Sequence, residues 1–366
     1  MRDTELNTPT EREELSEVAE TAAQAEPIAP AEETAAVSEG KKKKKKSGRG
    51  TIWVVLLVTG LLLFAGELLG GLMVGFPMGL YLVFSGTDIM DILENGLTLS
   101  PVLGTVMSYL PTIGTWTVCL LWFLRKKDRP LYRTVTGYCK GNNVPLLLFG
   151  FLLGFLMNGG CILAARLHGD ISLTYDSVQP GALAAVFLCV FIQSSSEELL
   201  CRGYLYQKLR KLYRNPAIAI FGNSLLFALL HLGNPGVTVL ALLDIFISGV
   251  LFSLLIYYLD SMWCAFAVHT AWNFTQNIVF GLPNSGLLVP FSVFTLDTAA
   301  ARDSFAYNVG FGVEGTVLAV LIETAVCLLL WLWGRKHGPR ETNIWPADAE
   351  AAAQTEPAET DFKEAL

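Results

Sequence analysis

Charge is scarce in this chain of 366 residues: 16% are Asp, Glu, Lys or Arg and 52% are hydrophobic, with a mean hydropathy of +0.46. A soluble domain carries about 25% charged residues, so a globule surrounded by water is excluded and most of the chain belongs in lipid. Paired cysteines are lacking too. The seven cysteines are scattered singly, and Cys119, Cys161, Cys189, Cys264 and Cys327 lie inside apolar runs. That pattern excludes a disulfide framework and a cysteine-based metal site. There is no apolar run near the start, since the first begins at Ile52 after the block Lys41 to Lys46, and no cleaved signal is expected. No internal repeat suggests an inverted-repeat transporter.

What charge there is lies mostly at the ends. The net charge of −7 reflects acidic residues crowded into 1–40 and 341–366, among Ala, Thr and Pro. Such segments bury too little apolar surface to fold, so 1–50 and 336–366 are expected to be disordered tails. The lysine block is expected to lie against anionic lipid head groups at about 1 kcal/mol per basic residue. It is a membrane anchor, not a sign of nucleic-acid binding.

A membrane-spanning helix needs roughly 20 mostly apolar residues. Eight segments qualify or nearly so: 52–74, 101–124, 143–165, 180–200, 216–232, 237–259, 262–282 and 315–333. The segment 216–232 is short, and 75–84 either extends the first span or forms a re-entrant piece. With the lysine block taken as cytoplasmic, the inner segments hold 21 Lys and Arg and the outer loops two, Arg166 and Arg302. This bias supports a cell-membrane protein with eight spans and both termini cytoplasmic. The expected fold is therefore an all-α, polytopic helical bundle. Helices in 51–179 precede a chemistry-bearing core in 180–282, followed by an outer loop and last helix in 283–335.

An ionisable side chain at membrane depth costs about 2.5 to 3.5 kcal/mol, so those that persist usually face a cavity or a protein interior. Glu197, Glu198, His231, Asp244 and His269 occur in four successive spans. Glu198 and Arg202 are spaced for an i,i+4 pair, which leaves Glu197, about 100° away, to act as a general base. The plainer reading of the three is a charged cluster at the membrane edge. Phe227 and His231 share a helical face, and a lone helical histidine is more often packed than catalytic. His269 and Asn273 also share a face and suit an oxyanion, or else make a polar contact between helices contributing about 0.6 to 2 kcal/mol. Asp244 orients a histidine or serves structurally, the latter being favoured. Taken together the set reads as a hydrolase that activates water: Glu197 as base, His231 sharing the water, His269 and Asn273 on the oxyanion. Ser194 to Ser196 are placed to line the site.

Depth poses a difficulty. At 1.5 Å per residue, Glu197 counted from Pro180 lies ~25 Å down, whereas His231 counted from Pro216 lies ~22 Å from the opposite side. The simplest way for the two to meet is that helix continues through the basic stretch 204–214 below the membrane, so that the fifth span begins in the cytoplasm, with helix tilt supplying the rest.

These residues resemble the signatures of the CPBP intramembrane proteases, the family of CAAX prenyl endopeptidases and bacteriocin-processing or Abi proteins. EExxxR is matched by Glu197, Glu198 and Arg202, FxxxH by Phe227 and His231, and HxxxN by His269 and Asn273. Gly203, Tyr204, Leu205, Gly249 and Trp263 fit as well, and the resemblance covers about 180–280. It implies an endopeptidase acting on membrane-associated peptides or proteins, with Phe227 on the substrate. It also raises a zinc held by Glu197, His231 and His269; without an HExxH motif the metal-independent alternative is preferred. The rival readings are a non-catalytic immunity or scaffold protein of the same fold, and a proton-coupled transporter using Glu197 and the histidines as a relay. The segment 310–315 resembles a glycine-rich stretch of some bacterial members, with no role derivable from sequence.

Overall fold

The computed structural model describes residues 48–86, 97 and 99–346. Residues 1–47 and 347–366, most of the two expected tails and the whole lysine block, lie outside the described residues.

Helix α1, Gly48–Phe84, is 37 residues long, so the stretch after Val74 extends the first span. Trp53, Phe64, Phe76 and Phe84 stand exposed along it, as suits a surface meant for lipid chains rather than water. It packs on α3 (Ile113–Phe123), which follows the short α2 (Pro101–Tyr109) through one 3-10 turn. Gly66 and Gly70 of α1 face Thr115, Pro111 and Gly114 so closely that a Cβ on either glycine would collide with backbone. Small residues four apart let two backbones approach where no hydrophobic force separates helix from lipid.

Helix α4 is Val144–His168, capped at its start by the Asn143 side chain and ended by Gly169 at φ 81°. Gly150 and Gly154 repeat the same device against α9 (Met262–Asn273): a Cβ on Gly150 would sit 2.6 Å from the Cys264 carbonyl. Between them in sequence come β1 (Leu173–Tyr175), α5 (Pro180–Glu198), a π-helical turn (Leu199–Tyr206) and α6 (Gln207–Leu212). Helix α7 is Pro216–Leu230 and α8 is Val239–Leu259. A second π-helical turn, Phe274–Val279, prolongs α9. Strand β2 (Phe294–Leu296) pairs antiparallel with β1, Leu173 opposite Leu296, and α10 is Val317–His337.

The molecule is thus a helical membrane bundle, and each of the eight expected segments contains helix. Six helical stretches among the described residues are long and apolar enough to cross a bilayer. The other two are α7, with 15 residues, and α9. Every residue of α9 except Trp263 is buried, so it is enclosed by other helices and tolerates His269 and Asn273 without meeting lipid.

Two boundaries differ from expectation. Helical structure runs unbroken from Pro180 to Leu212, 33 residues, well past the 180–200 span and through most of the basic stretch, as the depth argument required, and α7 starts only after it. The stretch 338–346, expected within a disordered tail, is packed against the bundle. Ile344 and Trp345 are buried, Arg133 donates to the Ile344 carbonyl, and Arg210 pairs with Glu341 at 2.9 Å. Two buried apolar side chains, an ion pair and hydrogen bonds to the bundle dock a segment whose composition otherwise reads as polar tail.

Candidate active site

Helices α5, α7, α8 and α9 turn their polar side chains toward one cavity of about 400 Å³. The two adjacent glutamates of α5 point different ways, because successive helical residues are rotated by about 100°. Glu198 is fully buried. Its Oε1 accepts from Arg202 Nη1 at 2.9 Å and stands 3.0 Å from Nδ1 of His269. Arg202, equally buried, also donates from Nη2 to the Gly249 carbonyl at 3.0 Å and lies over the rings of Phe227 and Phe252, 4.5 and 5.1 Å away. A Cβ on Gly249 would press within 3.1 Å of that guanidinium, so glycine there makes room for it. A buried ion pair persists only when extra hydrogen bonds and contacts offset its desolvation; this pair has those from His269, Gly249 and the two rings, while Glu198 Oε2 and Arg202 Nε are buried with no hydrogen bond among the described residues.

Glu197 keeps 30% of its side chain exposed and lines the cavity. Gln193, one turn earlier, donates to its Oε1 at 2.5 Å. Its Oε2 lies 3.8 Å from Nε2 of His269, outside hydrogen-bond reach but well within Coulombic reach. A carboxylate paired with Arg202 acts as an acceptor, so Nδ1 of His269 carries the proton between them and Nε2 is left toward Glu197. The ring is further fixed by stacking on Phe252 at 5.1 Å.

Asn273 is held by its own partners. Its Nδ2 donates to Gln193 Oε1 and Ser194 Oγ at 3.1 and 3.2 Å, and its Oδ1 accepts from Asn284 at 3.2 Å. A chain of amides thus runs from Asn284 through Asn273 and Gln193 to Glu197. In this arrangement the Nδ2 donor of Asn273 points at α5 and the Nδ1 donor of His269 serves Glu198, which leaves Nε2 of His269 as the ring nitrogen free on the Glu197 side.

His231 caps the end of α7, with Nδ1 2.8 Å from the Phe227 carbonyl and its ring edge-on to Phe227 at 4.9 Å. Phe227 is edge-on to His269 as well, at 6.0 Å, and so stands between the two histidines. Both His231 and Phe227 line the cavity. Among the described residues no hydrogen bond joins His231 to Glu197. The structure therefore brings Glu197, Glu198, Arg202, Phe227, His269 and Asn273 into one contacting group, which His231 joins through Phe227. Of the three serines, Ser195 and Ser196 turn back to backbone carbonyls of Phe191 and Gln193. Asp244 accepts from the Gly315 amide rather than orienting a histidine.

Residues beyond the expected set complete the site. Glu314 accepts from Trp272, Asn284 and Ser285, at 2.8 Å or less from Trp272 Nε1 and both Ser285 donors. Burial raises its pKa above the ordinary glutamate value, opposed by the hydrogen bonds from Ser285 and Trp272 and by nearby His231. Gly312 at φ 100° and Gly315 at φ 69° bend the chain on either side of it, which accounts for the glycine-rich run 310–315. Gln193 carried a signal in the sequence, lying one turn before Glu197. Asn284 and Glu314 carried none, because a loop returns them to the site.

The donor set does not fit a metal as arranged. Among the described residues no three His, Cys, Asp or Glu side chains are grouped to hold one.

Residues 179–275, which hold every signature position, match the family model for the type II CAAX prenyl endopeptidase Rce1-like proteins. This stretch belongs to the CAAX protease family. The Rce1-like region covers α5 to the start of the second π-helical turn and omits Asn284 and Glu314. The chain is also similar to the uncharacterized protein YyaK of Bacillus subtilis, at 29% identity over 207 residues. The match covers 51% of this chain and 63% of that protein. No solved structure matches.

Proposed function

We propose that the protein is a multi-pass intramembrane endopeptidase that cleaves membrane-associated peptides or proteins with water activated by Glu197. The reading rests on one observation: of two adjacent carboxylates, Glu198 is tied to Arg202 and His269, while Glu197 faces the cavity beside the remaining nitrogen of that histidine.

In this scheme Glu197 takes a proton from water as the water oxygen bonds to the scissile carbonyl carbon, and returns it to the leaving amine as the C–N bond breaks. His269, when it carries a second proton on Nε2, donates to the carbonyl oxygen as charge develops there. Asn273 joins by exchanging its 3.2 Å bond to Ser194 for one to substrate. His231, with Nδ1 fixed on the Phe227 carbonyl, holds Nε2 toward the cavity and positions the water. No step is routed through a metal. The termini lie in the cytoplasm in the orientation favoured by the charge bias.

The experiment uses purified full-length protein in lipid nanodiscs with a library of membrane-anchored peptides, prenylated and not. Glu197→Ala is expected to lower kcat by at least about a thousandfold and His231→Ala by about a hundredfold, the range of general-base and positioning losses. Wild-type rates in both variants would sink the proposal. Chelator treatment is expected to leave the rate unchanged; inhibition reversed by zinc would replace the metal-free scheme with a metal-dependent one. Biological activity without cleavage of any peptide would favour a scaffold.

A further inference from the structure

The cavity has a second polar end that the hydrolytic scheme does not use. Among the described residues its lining includes five carboxylates, Glu67, Glu197, Asp244, Glu314 and Glu323, and no lysine or arginine. Most are provided for. Both oxygens of Glu314 accept hydrogen bonds, Glu197 accepts from Gln193, and Glu67 accepts from Thr115. Asp244 and Glu323 differ, because each has one hydrogen-bonded oxygen and a second oxygen that is buried without a donor, whereas Glu197 keeps 30% of its side chain exposed. Asp244 Oδ2 accepts from the Gly315 amide at 3.0 Å, and Glu323 Oε1 from Ser248 Oγ at 2.7 Å. Among the described residues Asp244 Oδ1 and Glu323 Oε2 have no donor, although both residues are only 1% exposed.

The two groups are neighbours. Ser248 is four residues after Asp244 on α8, so the Glu323 carboxyl it binds lies about one helical turn from Asp244. One oxygen of each is anchored, which fixes the carboxyls in place, and both residues line the same cavity as Glu197 and His269. A buried acceptor without a donor is costly, and a ligand with several N–H donors removes that cost at both atoms. An ammonium carries three donors and a guanidinium five. Met157, Ile245, Leu251 and Val268 also line the cavity and suit the methylene stem of such a group.

We propose that Asp244 and Glu323 form a subsite for the cationic side chain of a lysine or arginine in the substrate. The proposal rests on the peptidase reading and adds a sequence preference to it.

The test measures binding and cleavage separately. Membrane-anchored fluorescent peptides, each with one lysine at a different position, are compared with norleucine analogues on Glu197→Ala protein in nanodiscs. At one position the lysine peptide is expected to bind about tenfold tighter, the scale of one added charge-assisted hydrogen bond. Adding Asp244→Asn and Glu323→Gln is expected to bring that ratio to about one. If the combined variant does not fold, Glu323→Gln alone in the Glu197→Ala background carries the comparison. Equal binding of lysine and norleucine peptides at every position overturns the proposal and leaves the two carboxyls as a structural pair sharing a proton. A preference that survives the substitutions also overturns it. Wild-type protein is assayed for cleavage of the same peptides. Preference without cleavage refutes the peptidase and keeps the cation subsite; cleavage without preference does the reverse.

Discussion

Two glutamates that differ by one position in sequence differ entirely in surroundings, and that difference separates catalysis from stability. Glu198 cannot be lost without leaving the Arg202 guanidinium buried and unpaired, which typically costs about 3 to 5 kcal/mol. Glu197 has no charged partner within hydrogen-bond distance, only Gln193 and a histidine nitrogen at 3.8 Å. Glu198→Ala is therefore expected to lower the unfolding free energy by roughly that 3 to 5 kcal/mol. Glu197→Gln is expected to abolish cleavage while changing stability by less than about 0.5 kcal/mol, as for a partly exposed site. Reversible unfolding in mixed micelles, set beside peptide cleavage, checks both. Equal destabilisation by the two substitutions would show that the pair acts as one structural unit. The local part of this division is visible in the sequence, since i,i+4 spacing alone pairs Glu198 with Arg202. The contact between His269 and Glu198 is not visible, because 71 residues lie between them.

At the scale of elements, the position of His269 depends on how closely α9 approaches α4. Gly154 meets the Val268 carbonyl and Ala271, so a methyl there has nowhere to go, whereas Gly159 faces open space on the same helix. Gly154→Ala is expected to cost about 1 to 3 kcal/mol, as overpacking does, and to slow cleavage by displacing α9. Gly159→Ala is expected to be neutral or mildly stabilising, which isolates the contact from helix propensity. Beyond the end of α4, Asp170 ties the loop before α10 to the bundle, accepting from Ser304 at 2.6 Å and from Arg302, with His168 at 2.8 Å. Burial acts to raise the Asp170 pKa, but the hydrogen bonds from Ser304, His168 and Arg302 outweigh it and hold the pKa below the ordinary value. A carboxylate with a depressed folded pKa contributes stability that is fully present above its unfolded value of about 3.9 and is lost as pH falls through the lower folded value. Amide exchange in 297–306 is expected to quicken over that acid window in wild type, and to be fast and flat with pH in Asp170→Asn. A pH profile unchanged by that substitution would assign the acid response to another group.

For the molecule as a whole, hydropathy located all eight helical segments, because lipid demands long apolar runs wherever a helix faces it. It overcounted the helices that meet the crossing criterion because burial inside a bundle relaxes that demand, as α9 illustrates. The motif positions were legible because each lies within one or two helical turns of its partner. Asn284 and Glu314 were not, since their approach to Asn273 and Trp272 depends on how the chain after α9 folds back. The same limit hid the docking of 338–346, where Arg340 and Glu341 donate backbone N–H groups to the Tyr257 carbonyl and Thr342 binds Asp260. Asp260 ends α8 at φ 57°, in the left-handed region that Asp tolerates better than most residues with a side chain. Its carboxylate also accepts from the Lys140 amide, so this one residue gathers the ends of three segments. Trp345 extends the junction by lying against Lys208 and Lys211, at 5.0 and 4.0 Å. A chain ending at residue 346 keeps all of these contacts, and one ending at 338 loses them. The shorter chain is expected to unfold at least about 3 kcal/mol more easily than the chain ending at 346, the cost of removing one large buried aromatic. Reversible denaturation of both checks this, and equal stability would reduce the docked segment to a surface ornament without a structural role.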